Sequence, residues 1–280
     1  MGTEFSAVFF GMASAITWGA ADFCGGVATK RSEVIRVLFF SQLIGTTLLV
    51  IPLWVWQEPF PGLKDIFWGA AGGACGLVGV TAFYIGLARG RMGVVAPVAA
   101  VVTAGIPVLA GAILEGLPPA IKYAGFALGL ISIWLVSRSD GKYQVRLKEL
   151  ALPVIAGAAF GAFFIFLDQA AETAVLWPLL AARSASLLLI LLASLVMGKQ
   201  LLPARGRGLV IALAGLLDTG GNIFYMLAAR AGRLDIAAVL ASLYPAATVI
   251  LARLILKERI NRWQLIGILS ALAAVVLIAT

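Results

Sequence analysis

Phe83-Tyr84-Ile85-Gly86-Leu87-Ala88-Arg89-Gly90-Arg91 and Phe224-Tyr225-Met226-Leu227-Ala228-Ala229-Arg230-Ala231-Gly232-Arg233 are one phrase written twice. Phe, Tyr, Ala and Arg match at an offset of 141, and the extra Ala231 moves the Gly-Arg pair to 142. Outward from this phrase, Gly125 and Gly267 keep the offset of 142, and Glu115 and Glu258 match within one position of it. Nearer the start, Gly11 pairs with Gly157 and Asp22 with Asp168, both at 146. Ordered self-similarity of this kind marks a chain built from two copies of one unit.

Each copy of the phrase lies near the end of an apolar run, and such runs fill the chain. Of 280 residues, 62% are hydrophobic and only 12% charged. The mean hydropathy is +1.04. A water-facing surface needs about twice that charge. The composition therefore excludes a cytosolic enzyme, a disordered regulator and a secreted module. About 20 apolar residues in a helix cross a bilayer, and helices satisfy their own backbone polar groups there. The runs predict ten spans: 5–26, 34–56, 65–88, 93–114, 120–137, 150–170, 176–197, 208–229, 234–256 and 262–279. Polar breaks such as Lys30-Arg31-Ser32-Glu33 and Gln57-Glu58-Pro59-Phe60-Pro61 separate them. The first run has Glu4 as its first charge, so it reads as a retained helix and not a cleaved signal.

Five spans per copy is an odd number, so the second copy enters the membrane from the opposite side. The expected fold is an all-α integral membrane protein: ten transmembrane helices as two inverted five-helix repeats around a central cavity. Residues 1–137 form the first repeat, 138–149 a cytoplasmic linker and 150–280 the second repeat. Inverted repeats are a device of transporters.

Basic residues set orientation. With both termini outside, the cytoplasmic loops hold Lys30, Arg31, Arg89, Arg91, Arg138, Lys142, Arg146, Lys148, Lys199, Arg205, Arg207, Lys257, Arg259 and Arg262. The outer loops hold Lys64, Lys122, Arg230 and Arg233. The net charge of +8 then marks loops on one side of a cytoplasmic membrane and no nucleic-acid partner.

At this point the pattern resembles the EamA-type permeases of the drug/metabolite transporter superfamily. The likeness rests on five plus five helices, and on Ser242-Leu243-Tyr244-Pro245-Ala246-Ala247-Thr248 followed by Leu256-Lys257-Glu258. It rests also on Arg183 early in span seven and Gly267 in the last span. The first half differs at two positions: Thr103 stands where the second has Pro245, and Ser41 falls near the place of Arg183. The resemblance implies a ten-helix basket with a central cavity and secondary transport of small metabolites, often export.

The residues that carry chemistry are those a membrane tolerates least. An intramembrane charge costs roughly 2.5–3.5 kcal/mol on insertion scales and persists where it faces a cavity or a partner. Asp218 lies near the middle of span eight, followed by Thr219, Gly220, Gly221 and, one turn on, Asn222. Its carboxyl either binds a cationic group or a proton, or is structural, bonded to a neighbouring helix or to Arg183. The two glycines permit close backbone approach or local unwinding. Asp22, after Trp18-Gly19-Ala20-Ala21, and its repeat mate Asp168 are expected to flank the cavity from opposite mouths as gates or coupling sites. The alternative is that each reaches headgroup water. Arg183 always carries its charge, and Asp168 and Glu172 are its candidate partners if it does not bind a substrate carboxylate. Arg36 and Arg253, nearer span ends, read as snorkelling. Tyr84, Tyr225 and Tyr244 need hydrogen-bond partners in the membrane and are candidate cavity residues. Pro97, Pro107 and Pro245 inside spans four and nine mark kinks or hinges.

Several chemistries are excluded. The sequence has no His, so no His-based triad, relay or metal site. Cys24 and Cys75 form no disulfide framework or zinc motif. No Walker motif appears, so ATP hydrolysis by this chain is not expected, and no cofactor is implied. The expected function is secondary active transport of a small metabolite (an amino acid, amine or related solute) by alternating access, possible proton coupling resting on Asp218, Asp22 or Asp168. The partners are the solute, protons and membrane lipid, and the chain acts as a monomer or homodimer. The alternative is an integral-membrane enzyme acting on a lipid-linked substrate. It needs a polar catalytic cluster, yet the longest loop, 138–149, carries only Asp140 and Glu149 as acids. A channel needs a ring of like residues from several subunits.

Overall fold

A computed structural model describes residues 2–114, 120–137, 147–170, 174–201, 208–230, 240–241 and 243–279. Among them the chain is all helix: α1 (Gly2–Thr29), α2 (Val34–Trp56), α3 (Leu63–Arg89), α4 (Met92–Leu114), α5 (Ala120–Ser137), α6 (Leu147–Ala170), α7 (Leu176–Val196), α8 (Gly208–Arg230), α9 (Tyr244–Ile255) and α10 (Arg262–Ala279). Segments within α1, α2, α3, α6, α7 and α8 are long and apolar enough to cross a membrane; over their described residues, α4, α5, α9 and α10 are shorter apolar helices. Large apolar side chains point outward, with Trp54 at 78%, Leu195 at 77% and Ile113 at 84% exposure. Such a surface is a liability in water and ordinary against lipid.

Nine helices begin and end within three positions of the expected spans. The ninth differs. The sequence predicts it over 234–256, but residues 231–239 lie outside the described ones and α9 begins at Tyr244. Pro245 therefore sits in the first turn and not inside a helix. Its missing N–H costs nothing there, and its fixed φ suits a helix start. Pro97 and Pro107 do fall inside α4, joined by Pro52 in α2 and Pro153 in α6.

Packing pairs recur between the halves. α1 packs on α8, and α6 on α3; α2 packs on α8, and α7 on α3; α4 packs on α6, and α9 on α1. α5 and α10 pack on each other. The register is kept as well. Trp18 lies against Gly221, and Phe160 lies against Gly79. Trp18 with Phe160 and Gly79 with Gly221 both stand at the offset of 142. Gly19 likewise meets Thr248 where Gly161 meets Ile106. This fixed offset corrects the pairing of Asp22 with Asp168: at 142 the counterpart of Asp168 is Gly26.

Two loop glutamates fasten helix ends to each other. Gln57 and Lys257 adopt left-handed backbone angles, φ 46° and 55°, directly after α2 and just beyond α9. The next residue in each case is Glu58 or Glu258. Glu58 accepts hydrogen bonds from the backbone N–H of Val175 (3.1 Å) and Leu176 (2.7 Å) at the start of α7. Glu258 accepts from Met92 (3.1 Å) and Gly93 (3.2 Å) at the start of α4. Carboxylates there satisfy orphan donors and meet the positive end of the helix dipole. Asn261 and Gln264 cap α10 reciprocally. The Gln264 N–H donates to Asn261 Oδ1 at 2.7 Å, and the Asn261 N–H donates to Gln264 Oε1 at 3.3 Å.

A third tie joins the turn after α1 to the loop after α7. Lys199 Nζ donates to Glu33 Oε1 at 2.7 Å, and Arg36 Nε stands 3.7 Å from Glu33 Oε2. The Lys199 hydrogen bond, with the charges of Lys199 and Arg36, holds the Glu33 carboxyl below the ordinary glutamate value of 4.5. A depressed carboxyl stabilises the fold above its unfolded value, and that contribution disappears as pH falls through the folded value. The tie is therefore intact at neutral pH and outlasts the descent through 4.5. Lys199→Gln is expected to lower the melting temperature slightly at neutral pH, and its difference from wild type is expected to shrink as pH falls below 4.5, which a pH series of thermal melts checks.

Candidate functional site

The helices that pack across the repeat enclose one cavity of about 210 Å³. α1 contributes Trp18 and Asp22; α2 contributes Ser41 and Gln42. α3 and α6 supply Phe83, Tyr84, Phe160, Phe163 and Phe164, and α4 supplies Thr103. α7 and α8 bring Arg183, Ser186, Asp218 and Asn222, and α9 brings Tyr244. No described residue of α5 or α10 is in the lining.

Small residues make room for this lining by letting backbones approach. A Cβ on Gly73 of α3 would lie 2.1 Å from the carbonyl oxygen of Ala182 in α7. At the repeat-related position, a Cβ on Gly215 of α8 would lie 2.3 Å from the carbonyl oxygen of Ser41 in α2. Both glycines line the cavity. Ser186 Oγ donates to the Gly73 carbonyl at 2.8 Å and straps α7 to α3 at that height. Gly69 continues the α7 contact against Pro178, whereas Gly72, Gly76 and Gly79 face Phe163 and Phe160 of α6. The small-residue stripe of α3 is thus packing surface on two faces.

Arg183 is 7% exposed. It forms an ion pair with Asp218, and its Nη1 donates to Gln42 Oε1 at 3.0 Å. This corrects the expected partners: Asp168 is exposed near the end of α6, and Glu172 lies outside the described residues. The partner comes from α8, 35 residues away, and α7 and α8 are brought together here by their shared contacts with α2. Asn222 Nδ2 donates to the Asp218 carbonyl at 2.8 Å, so it stabilises the turn that presents the carboxylate. Gly221 meets the Trp18 ring, whereas a Cβ on Gly220 would find nothing within 4 Å.

Asp22 stands differently. It lines the same cavity and makes no hydrogen bond or ion pair with any described residue. Trp18 lies one turn before it on α1, and the Tyr84 ring rests on Gly25, just beyond it on the same helix. Tyr225 does not line the cavity; it stacks behind Trp18 at 5.8 Å between ring centroids. Thr103 Oγ1, Thr219 Oγ1 and Arg183 Nε are buried and lack a hydrogen-bond partner among the described residues. No group of His, Cys, Asp and Glu able to hold a metal occurs among the described residues.

Of the residues singled out from sequence, the fold brings together Trp18, Asp22, Tyr84, Arg183, Asp218, Asn222 and Tyr244, and leaves Asp168 and Tyr225 out of the cavity wall. Sequence reasoning missed Gln42, a mid-span amide and therefore a visible signal, and the hydroxyls of Ser41, Ser186 and Thr103. Arg36 lies beside Glu33, and Arg253 is exposed.

Comparison with known proteins matches this architecture. No curated protein sequence matches. A solved structure described only as a crystal structure of a protein aligns over 97% of this chain and 96% of its own, at a TM-score of 0.66 and 14% identity. That likeness concerns the fold. The EamA-like transporter family matches twice, over residues 5–138 and 147–280. Its members are transporters and not enzymes. Matched twice, over nearly its whole length, the chain belongs to the EamA-like transporter family and is an integral membrane protein.

Proposed function

We propose that this protein is a secondary transporter that carries a small organic solute through the cavity by alternating access. One observation carries the reading: a single cavity, walled by helices of both halves, gathers two carboxylates, one guanidinium and a set of aromatic rings. In this reading all ten helices span the cytoplasmic membrane as inverted repeats, 1–137 and 150–280, joined by the cytoplasmic linker 138–149, with both termini outside. The recurrence of packing pairs and of the repeat register supports it. Two copies of one packing scheme, inserted oppositely, offer two equivalent arrangements around a fixed site. Pro97 and Pro107, inside α4, provide places where that helix bends. Proton coupling is assigned to Asp218 and Asp22, which line the cavity; Asp168, exposed near the end of α6, stands apart from it.

Transport in proteoliposomes, with and without a pH gradient, tests this. The expected result is saturable flux with counterflow, accelerated by the gradient in the wild type. The acceleration is expected to be lost in Asp218→Asn or Asp22→Asn, with flux normalised to reconstituted protein. Full gradient-driven flux in both variants removes the coupling assignment. Flux that never saturates removes the carrier.

A further inference from the structure

The cavity's charges do not balance. Asp218 and Arg183 neutralise each other, and Gln42 occupies a further guanidinium donor. The remaining Arg183 nitrogen, Nε, is buried. The Arg183 charge is matched by Asp218, and no second cationic side chain lines the cavity among the described residues. Asp22 has no such partner among the described residues, so in its ionised form it leaves one net negative charge in the wall. An unpaired carboxylate in a low-dielectric cavity is costly, and a cation that enters beside it relieves that cost.

The surroundings of Asp22 specify the cation further. Trp18 projects from the same face of α1, one turn away. Tyr84 lies across from it, seated on Gly25. Aromatic faces beside a carboxylate attract ammonium groups through the ring quadrupole. Beyond them the wall is apolar, with Phe160, Phe163 and Phe164. A site with one anionic anchor, an aromatic surround and an apolar body takes a molecule of the same pattern.

We infer that the solute is a monocationic aromatic or apolar amine without a carboxylate, its ammonium group held by Asp22 between Trp18 and Tyr84. This rests on the cavity being the transport site, and it divides the amines from the amino acids that such a cavity otherwise admits. A zwitterion brings an anionic group that meets Asp22 and Asp218 with no free cation to receive it.

Three probes share one ring and differ only in charge: phenethylamine, L-phenylalanine and 3-phenylpropionate. Binding is read on the purified full chain by thermal shift and by tryptophan fluorescence. Phenethylamine is expected to bind at least about tenfold more tightly than either of the others. Asp22→Asn is expected to lose at least about tenfold of that affinity, and Asp22→Glu to stay within about threefold of wild type. Equal or tighter binding of L-phenylalanine or 3-phenylpropionate overturns the inference, as does absence of phenethylamine binding to folded wild type. The comparison of probes on wild type stands even if Asp22→Asn fails to fold. Counterflow of the same three compounds separates the two readings. Exchange of L-phenylalanine but not phenethylamine overturns the amine and keeps the carrier. Asp22-dependent binding of phenethylamine without exchange of any probe keeps the amine site and overturns the carrier.

Discussion

Asp218→Leu is expected to destabilise the protein by roughly 3–5 kcal/mol, the usual cost of stripping one partner from a buried ion pair. Arg183→Leu is expected to cost clearly less. The asymmetry follows from where the two groups sit. The Arg183 side chain is 8% exposed, while that of Asp218 is 39% exposed on the cavity side. A guanidinium left alone cannot discharge itself, and Gln42 offers it only a neutral acceptor. A carboxylate left alone at the cavity wall can take up a proton or water. The double variant Arg183→Leu/Asp218→Leu is expected to recover most of the loss, because it removes both charges together. Thermal melts of the four proteins in one detergent form the cycle. Wild-type melting of Asp218→Leu would mean that the pair is not closed in the membrane-embedded protein.

The same pair marks the limit of what the sequence discloses. The helices are legible because each follows one apolar run of the sequence, and α2 and α5 begin and end where their runs do. Arg183 and Asp218 stand out because charge in lipid is expensive. Their pairing does not, since it depends on α7 and α8 both packing against α2, a tertiary fact. Asp168 and Glu172 are nearer in sequence to Arg183 and look like better partners for that reason alone. The repeat offset fails at the first helix for a statistical reason: in a chain of few residue types, Gly11 with Gly157 and Asp22 with Asp168 coincide by chance. Only contacts such as Trp18 on Gly221 and Phe160 on Gly79 fix the register. Glu258 stands out in the sequence, but the capping role of Glu58 and Glu258 does not, because Gln57 and Lys257 do not announce a left-handed backbone as glycine would.

The second large effect separates glycines that look alike in sequence. Gly73→Ala is expected to destabilise the protein by about 1–3 kcal/mol and to abolish transport, and Gly220→Ala to leave both unharmed. The alanine methyl at position 73 would stand 2.1 Å from the backbone oxygen of Ala182. Backbone cannot rotate aside as a side chain can, so α3 and α7 must separate by more than an ångström for that contact to become ordinary. Separation also stretches the Ser186 Oγ bond to the Gly73 carbonyl. It shifts Arg183, which directly follows Ala182, away from Asp218, so the ion pair and the cavity wall deform together. At position 220 nothing lies within 4 Å of the new methyl, and alanine is a better helix former than glycine by about 0.8–1 kcal/mol. Gly220→Ala is therefore expected to melt at or above the wild-type temperature with unchanged saturable flux. If the two variants melt together, the close approach of α3 and α7 does not limit the fold. If Gly73→Ala melts lower yet transports normally, the geometry of the wall between Gly73 and Arg183 does not govern passage of the solute.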